Sequence, residues 1–150
     1  MMAVNLTGPF QLTRRTVPKM VASGWGRVII VASNAGLTGY AYTSGYCASK
    51  HGVVGFTRAL AVELARTGVT VNAVCPGFVE TEMAESAIRN IEKATGRDPA
   101  AARKALEKMN PQNRLIQVDE IVHCVRGLVA EGSRGINGQA ITIDGGQVLH

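Results

Sequence analysis

The chain has few cysteines, few aromatic residues and no long hydrophobic run. Its three cysteines, Cys47, Cys75 and Cys124, are widely spaced and form no Cys-x-x-Cys pair, which argues against a disulfide framework or a zinc site. The apolar runs fall well short of the roughly 20 residues that a membrane helix needs, and the N-terminus has no signal-peptide layout. The composition therefore predicts a cytoplasmic protein with reduced thiols, no metal site and no membrane association.

Acidic residues are outnumbered by basic ones. The 16 Lys and Arg against 11 Asp and Glu give a net charge of +5. The basic residues are dispersed, however, and no basic helix face with interleaved aromatics is present, as a nucleic-acid surface would require. A small anionic ligand, such as a phosphate-bearing cofactor or carrier, suits this mild excess better than nucleic acid does.

The pattern of apolar residues predicts alternating strands and helices in one domain. The runs at 27–32 and 69–74 are apolar on both faces, as parallel strands covered by helices are, and 140–143 is expected to form the last strand. Residues 7–22 and 46–66 have apolar residues at helical spacing. This order predicts an α/β layer structure.

The region between the second and third predicted strands is expected to be helical. Residues 82–110 are rich in Ala, Glu, Lys and Arg, and Asp98 with Pro99 supplies an N-cap and a first-position proline for a second short helix. Asp119 is expected to cap the following helix and to pair locally with Arg114. The buried stripe predicted for that helix consists of Val122, Val125, Leu128 and Val129.

Ser33, Tyr46 and Lys50 have the order and spacing of one active site. Ser33 follows the apolar run 28–32, Tyr46 comes thirteen residues later, and Lys50 lies one helical turn beyond Tyr46 on the same face. A phenol ordinarily keeps its proton up to about pH 10, so proton transfer at neutral pH requires a stabilised phenolate. An ammonium about 4 Å away contributes roughly 4 kcal/mol at an effective dielectric constant of about 20. With a serine hydroxyl beside them, these groups can move a proton on or off a carbonyl or alcohol oxygen.

A Tyr-x-x-x-Lys pair alone is weak evidence, but other segments accompany it. Asn5 precedes Ser33 by 28 residues, the second predicted strand breaks into Cys-Pro-Gly at 75–77, and Asp-Gly-Gly at 144–146 closes the last strand. In these features the chain resembles the short-chain dehydrogenase/reductase family over essentially its whole length. The run 48–81 is most similar to 3-ketoacyl reductases and polyketide ketoreductases.

The resemblance implies a Rossmann-like, doubly wound parallel sheet with flanking helices, and NADP or NAD as cofactor. It implies that Tyr46 protonates a ketone oxygen while the cofactor delivers hydride, that Lys50 favours the phenolate and binds the nicotinamide ribose, and that Ser33 holds the carbonyl. Asn5 would order a water that leads from Lys50 toward solvent. The implied cofactor-binding residues are Tyr46, Lys50, Pro76, Gly77, Val79 and Thr81. Residues 82–110 would form a substrate lid, or else a solvated helical pair without a catalytic role.

The chain lacks the Gly-rich turn with which dinucleotide-binding folds begin. Gly24 and Gly26 have no third partner, and Gly132, Gly135 and Gly138 follow a predicted helix rather than a strand. The chain is therefore expected to be the C-terminal, catalytic half of a reductase, without the residue that distinguishes NAD from NADP. A truncated gene model or engineered fragment, a natural short form and a partner chain that supplies the remainder are three explanations. The first is preferred, and the reading frame upstream of Met1 would test it.

Two functions of different classes follow. In the first, the chain is the catalytic half of an NAD(P)-dependent ketoreductase for an acyl thioester or polyketide-like ketone, and the complete enzyme is a homotetramer or dimer. In the second, the short chain acts only as an interaction module through the helices that carry Asn5 and Tyr46, which relatives use to build tetramers. The family's strand order places the three strands side by side, which would leave the strand before Ser33 with a naked edge. The chain alone is therefore expected to be poorly soluble or oligomeric.

Overall fold

A three-stranded parallel sheet forms the centre of the molecule, in a computed structural model that describes residues 1–149. The strands lie side by side in the order β1–β2–β3, and both pairings are parallel. Their bounds are Gly26–Val31 for β1, Val69–Pro76 for β2 and Ala140–Ile143 for β3. The parallel sheet and its alternation with helices confirm the predicted α/β class, and the expected neighbourhood of the three strands is also confirmed.

Five helices surround this sheet in the described part of the chain. A π-helical turn at Ala3–Thr7 leads into the first helix, which includes Pro18 and is followed by the C-cap residue Gly24 in the left-handed conformation, with φ of 68°. The helices are α1 (Gly8–Ser23), α2 (Ser44–Glu63), α3 (Glu82–Thr95), α4 (Pro99–Glu107) and α5 (Val118–Val129). Within residues 1–149, no helix combines the length and the apolar character needed to cross a bilayer.

The main core lies between the sheet and the helices α1 and α2. The central strand β2 is buried at every position, as predicted for a strand covered on both faces. In β1, by contrast, Arg27 and Ile29 are partly exposed and Val31 is 56% exposed. The expectation that 27–32 is buried on both faces is therefore wrong: the even-numbered side chains of β1 face the core with α1 and α2, whereas the described helices cover the face of Arg27, Ile29 and Val31 only in part.

The helical pair α3–α4 has a small core of its own. The predicted cap is present, since Asp98 Oδ1 accepts a hydrogen bond from Ala101 N at 2.9 Å and Pro99 begins α4. The buried residues of this second core are Ala84, Ile88, Ala102, Leu106 and Leu115. The segment 82–110 thus forms two packed helices beside the end of β2, while its role as a lid stays a prediction.

The start of α5 differs from the prediction. Gln117, rather than Asp119, is the N-cap, because the Glu120 carboxylate accepts a hydrogen bond from Gln117 N at 2.7 Å. Arg114 pairs with Glu120, at 2.6 Å, and not with Asp119. Of the predicted stripe, only Leu128 is buried, whereas Val122 and Val129 are exposed and Val125 is intermediate. The apolar face of α5 is therefore only partly covered by the described residues.

Candidate active site

The three parallel strands end at one edge of the sheet, and the predicted site residues follow these ends. Ser33 comes after β1, Gly77 after β2 and Asp144 after β3. Hydrogen bonds join the ends, since Gly77 N donates to Ile143 O at 3.0 Å and Asn34 Nδ2 donates to Asp144 Oδ2 at 3.2 Å. In open α/β sheets, ligands bind outside this carboxyl edge.

Ser33 is held by the turn that it begins. Its side chain is nearly buried, and Oγ accepts a hydrogen bond from Ala35 N at 3.1 Å as the cap of a short 3₁₀ turn, Asn34–Gly36. A Cβ at Gly36 would lie 2.7 Å from Lys50 O, so only glycine lets this turn approach the backbone of α2 so closely. The close approach places the Ser33 turn against the part of α2 that contains Lys50.

Tyr46 and Lys50 lie next to each other on α2. Lys50 Nζ is 5.7 Å from the centroid of the Tyr46 ring, so the predicted proximity is found in the structure. The ammonium also donates a hydrogen bond to Val31 O, at 3.1 Å. Burial lowers the pKa of Lys50, and the nearby Cys75 thiol has a smaller, opposing effect. The amine is therefore a partly buried cation between the end of β1 and the Tyr46 ring, while the chemical roles of both residues stay predictions.

Asn5 is connected to the same turn of α2 through Ser49. Asn5 Nδ2 donates to Ser49 Oγ at 3.0 Å, and Ser49 Oγ donates to Tyr46 O at 2.8 Å. Ser49 is fully buried, so this bond fixes Asn5 relative to the residues on either side of Ser49. Sequence reasoning missed Ser49 as a partner, because a serine between Ala and Lys in a helix gives no signal of its own.

A buried polar network lies beside this site. The Asp144 carboxylate is 3% exposed and accepts hydrogen bonds from Asn34 Nδ2, Gly146 N and Val148 N. Burial raises the pKa of Tyr40, and the charge of Asp144 adds to that shift. The sequence identified Asp144 only as the end of a strand, because a contact with Asn34, 110 residues away, leaves no local pattern.

The remaining predicted cofactor residues lie along the segment that follows β2. Pro76 ends the strand, and a Cβ at Gly77 would lie 2.8 Å from that of Asp144, so both residues belong to the carboxyl edge. Val79 pairs with Ile116 in an isolated parallel bridge, and Thr81 Oγ1 donates to Val79 O at 3.2 Å. Val79 and Thr81 therefore connect the edge to α3, and Thr81 O accepts a hydrogen bond from Glu85 N of α3 at 3.1 Å.

No group of three His, Cys, Asp or Glu side chains in residues 1–149 is arranged to hold a metal ion. The Lys50 ammonium lies beside the Tyr46 ring, and the Ser33 turn packs against the backbone at Lys50. An ammonium, a phenol and a serine hydroxyl are groups that can exchange a proton with a carbonyl or alcohol oxygen.

Several known proteins with similar sequences are named as reductases or dehydrogenases. A putative ketoacyl reductase of Streptomyces coelicolor is 42% identical over 144 residues, which cover 95% of this chain and 55% of the relative. A D-beta-hydroxybutyrate dehydrogenase of Cupriavidus necator is 40% identical over 148 residues, 97% of this chain and 57% of the relative. The chain thus spans about half the length of the curated relatives that it matches.

Solved structures share the fold. An actinorhodin polyketide ketoreductase crystallised with NADPH superposes with a TM-score of 0.90 at 41% identity, over 95% of this chain and 56% of that one. A sorbitol-6-phosphate 2-dehydrogenase of Erwinia amylovora gives a TM-score of 0.93 at 29% identity, over 99% of this chain and 59% of that one. The sequence model of the short chain dehydrogenase family matches residues 1–92. The chain belongs to this family and has the helix-flanked, Rossmann-like parallel sheet of its solved members.

Proposed function

We propose that the chain is the catalytic half of an NAD(P)-dependent reductase that converts a ketone into an alcohol. The observation on which this rests is the placement of Tyr46 and Lys50 on α2 beside the Ser33 turn, at the carboxyl edge of the sheet. The names of the relatives, ketoacyl reductase and hydroxybutyrate dehydrogenase, refer to chemistry at an oxygen-bearing carbon of an acyl chain. They support a 3-ketoacyl thioester or polyketide-like ketone as the substrate class. A cytoplasmic location and a dimeric or tetrameric assembly belong to this proposal.

The residues present fit the nicotinamide end of a dinucleotide. When bound, the cofactor supplies hydride to the carbonyl carbon. Lys50 Nζ uses one of its three N–H donors on Val31 O, so two donors remain for ribose hydroxyls. Pro76, Gly77, Val79 and Thr81 would line the nicotinamide ring and its carboxamide. Two solved relatives are described with NADPH or NADP bound, which supports a nicotinamide cofactor and leaves the choice between NAD and NADP to the rest of the protein.

Each catalytic side chain then has a separate task. Tyr46 gives its hydroxyl proton to the ketone oxygen, and the Lys50 ammonium stabilises the phenolate that remains. Ser33 Oγ accepts from Ala35 N, so its own O–H is free to donate to the same ketone oxygen as negative charge develops there. Asn5 has its Nδ2 committed to Ser49, and its side-chain oxygen would hold a water that leads from Lys50 toward solvent.

The alternative is an interaction module without catalysis. It is favoured by one observation: among the described residues no strand pairs with the outer edge of β1, where Val31 is exposed, and such an edge is a template for pairing with another chain. A module of this kind needs neither the Tyr46 hydroxyl nor the Lys50 ammonium. Cofactor binding therefore separates the two functions.

The test uses a hybrid reductase, in which the N-terminal region of the Streptomyces coelicolor relative that this chain does not match is joined to the chain. We expect the hybrid to bind NADPH or NADH and to oxidise it only when a 3-ketoacyl thioester is added, with the 3-hydroxy product identified by chromatography. Nicotinamide fluorescence should be unchanged by the 150-residue chain alone. A hybrid that folds and binds cofactor but produces no alcohol from any ketone would contradict the proposal. Cofactor binding by neither protein, with heteromeric pairing through β1, would favour the interaction module.

A further inference from the structure

One arginine joins three parts of the chain beside the proposed site. The Arg103 guanidinium contacts Glu80 through Nη2, Glu85 through Nη1 at 3.4 Å and Glu107 through Nε at 3.0 Å. Glu80 belongs to the segment after β2, Glu85 to the first turn of α3, and Glu107 to the end of α4. Arg103 thus connects α4 both to α3 and to the segment that leaves the carboxyl edge of the sheet.

The helix that presents Arg103 is itself fixed. Ala102, next to Arg103, is fully buried, and Leu106, one turn later, is 2% exposed in the small core of the α3–α4 pair. The guanidinium therefore extends from a well-packed helix and holds the Glu80 carboxylate beside α4. Arg89 also belongs to the helical pair, and the side-chain hydrogen bond that the structure describes for it is local: Nη2 donates to Ser86 Oγ at 2.8 Å within α3.

Glu80 lies between two residues of the proposed nicotinamide segment. Its backbone N donates to Ile116 O at 2.9 Å, and Ile116 N donates to Phe78 O at 2.9 Å, so the backbone around Val79 is paired on one side. The Glu80 side chain supplies a second attachment, to Arg103. A shift of Glu80 would move Val79 and Thr81 with it, because the three residues are consecutive.

We propose that Arg103 is a positioning residue that couples the α3–α4 pair to the segment 79–81 and thereby sets the affinity for the ketone. The proposal rests on the function proposed above, which places Val79 and Thr81 at the nicotinamide, and on the substrate-lid role that the family resemblance implies for residues 82–110. Arg103 acts through Glu80 and touches neither substrate nor cofactor. Its side chain is 39% exposed, so added salt screens the coupling.

Two pairs of variants separate this coupling from general stability. Glu80→Gln removes the negative charge from the ion pair between elements, whereas Glu107→Gln removes it from an i,i+4 pair within α4 and is its matched control. Arg103→Met removes all three contacts, whereas Arg89→Met removes an arginine with only a local contact. Hydrogen exchange of backbone amides at 78–82 and 99–107 is measured on the 150-residue chain and on the hybrid, together with KM and kcat of the hybrid.

Arg103→Met and Glu80→Gln should speed exchange in both segments about two- to fivefold, leave β2 unchanged and raise KM for the ketone more than they lower kcat. Arg103→Lys should restore part of the lost protection from exchange. Added salt should bring the exchange rates of the unsubstituted protein toward those of the variants. Unchanged exchange in Arg103→Met, faster exchange with an unchanged KM, or equal effects from Glu107→Gln would overturn the proposal. A hybrid without any turnover would refute the proposed function instead, and the exchange measurement would then decide the coupling alone.

Discussion

The Tyr46 hydroxyl is the group on which the proposed proton transfer depends. In the hybrid, Tyr46→Phe should lower kcat roughly 100- to 10,000-fold, because general acid catalysis typically contributes that much. Cofactor affinity should stay within about twofold, since the ring and the Lys50 ammonium remain. The measurement is steady-state turnover together with fluorescence titration of NADPH.

Tyr42 supplies the matched control for this substitution. Its side chain is fully exposed, in the loop just before α2, so Tyr42→Phe should leave kcat unchanged. Turnover of Tyr46→Phe within a few-fold of the unsubstituted hybrid would assign the proton to another donor. Equal losses in both variants would indicate a general effect on the loop.

Gly36 controls the distance between the Ser33 turn and α2. Gly36→Ala should destabilise the hybrid by about 1–3 kcal/mol in urea unfolding, because the added methyl meets the Lys50 backbone and the surroundings must shift. The control is Gly39→Ala, in the same loop, where no described atom lies within 4 Å of the new Cβ. Similar losses at both positions would mean that loop flexibility, and not this contact, is what the glycines provide.

At the residue scale the sequence predicted the pair Tyr46 and Lys50, because one helical turn fixes their separation once α2 forms. It did not predict partners that come from distant parts of the chain. Asn34 with Asp144 and Asn5 with Ser49 are 110 and 44 residues apart, and such contacts depend on how the elements pack. Arg103 was missed for the same reason, since its partner Glu80 lies 23 residues earlier.

Among the elements, strands were predicted better than helix ends. The β2 and β3 segments follow from short β-branched runs bounded by Gly or Pro, and β3 was predicted with its observed bounds. The start of α5 was predicted wrongly. Asp is a common N-cap residue, which favoured Asp119, whereas the observed N-cap, Gln117, depends on the position of the Glu120 side chain. A side-chain orientation of that kind is set by the neighbouring Arg114.

The ion pair between Arg114 and Glu120 makes the stability of α5 depend on pH. The Arg114 guanidinium, with the backbone N–H of Gln117, lowers the pKa of Glu120 from 4.5 to about 2. A carboxyl with a lowered pKa in the folded state stabilises it above the unfolded value, and that contribution is lost as the pH falls from about 4.5 through about 2. Glu120→Gln should therefore lower Tm at pH 6 and have little effect at pH 2.

The control is Asp119→Asn, in the same first turn of α5, where the charge has no salt bridge among the described residues. Its Tm difference from the unsubstituted protein should stay small at every pH. Thermal unfolding followed by circular dichroism between pH 2 and pH 6 measures both. If the Tm difference between Glu120→Gln and the unsubstituted protein were constant over this pH range, the role assigned to the Arg114–Glu120 pair would be wrong.

For the molecule as a whole, the dominant feature is the outer edge of β1, with which no strand pairs in residues 1–149. Successive residues of a strand point their N–H and C=O groups to opposite sides. Since Ala32 N donates to Val74 O, the odd-numbered residues of β1, Arg27, Ile29 and Val31, direct theirs away from β2. Lys50 Nζ donates a hydrogen bond to Val31 O, and the outward backbone groups of Arg27 and Ile29 have no partner among the residues that the structure describes, so they can pair with another strand. The edge and the proposed active site therefore share the Lys50 ammonium.

The 150-residue chain should consequently self-associate, as the sequence already indicated, and a charge on the edge should oppose this. Val31→Lys replaces a 56% exposed valine at the end of β1 and should shift light scattering toward the monomer, because lysine side chains disfavour edge pairing. Met83→Lys, at a 74% exposed position of α3, is the control for added charge alone and should leave the association unchanged. In the hybrid the edge would be paired, so Val31→Lys should instead lower its thermal stability. A monomeric unsubstituted chain with a sharp calorimetric transition would show that the edge is not a binding surface.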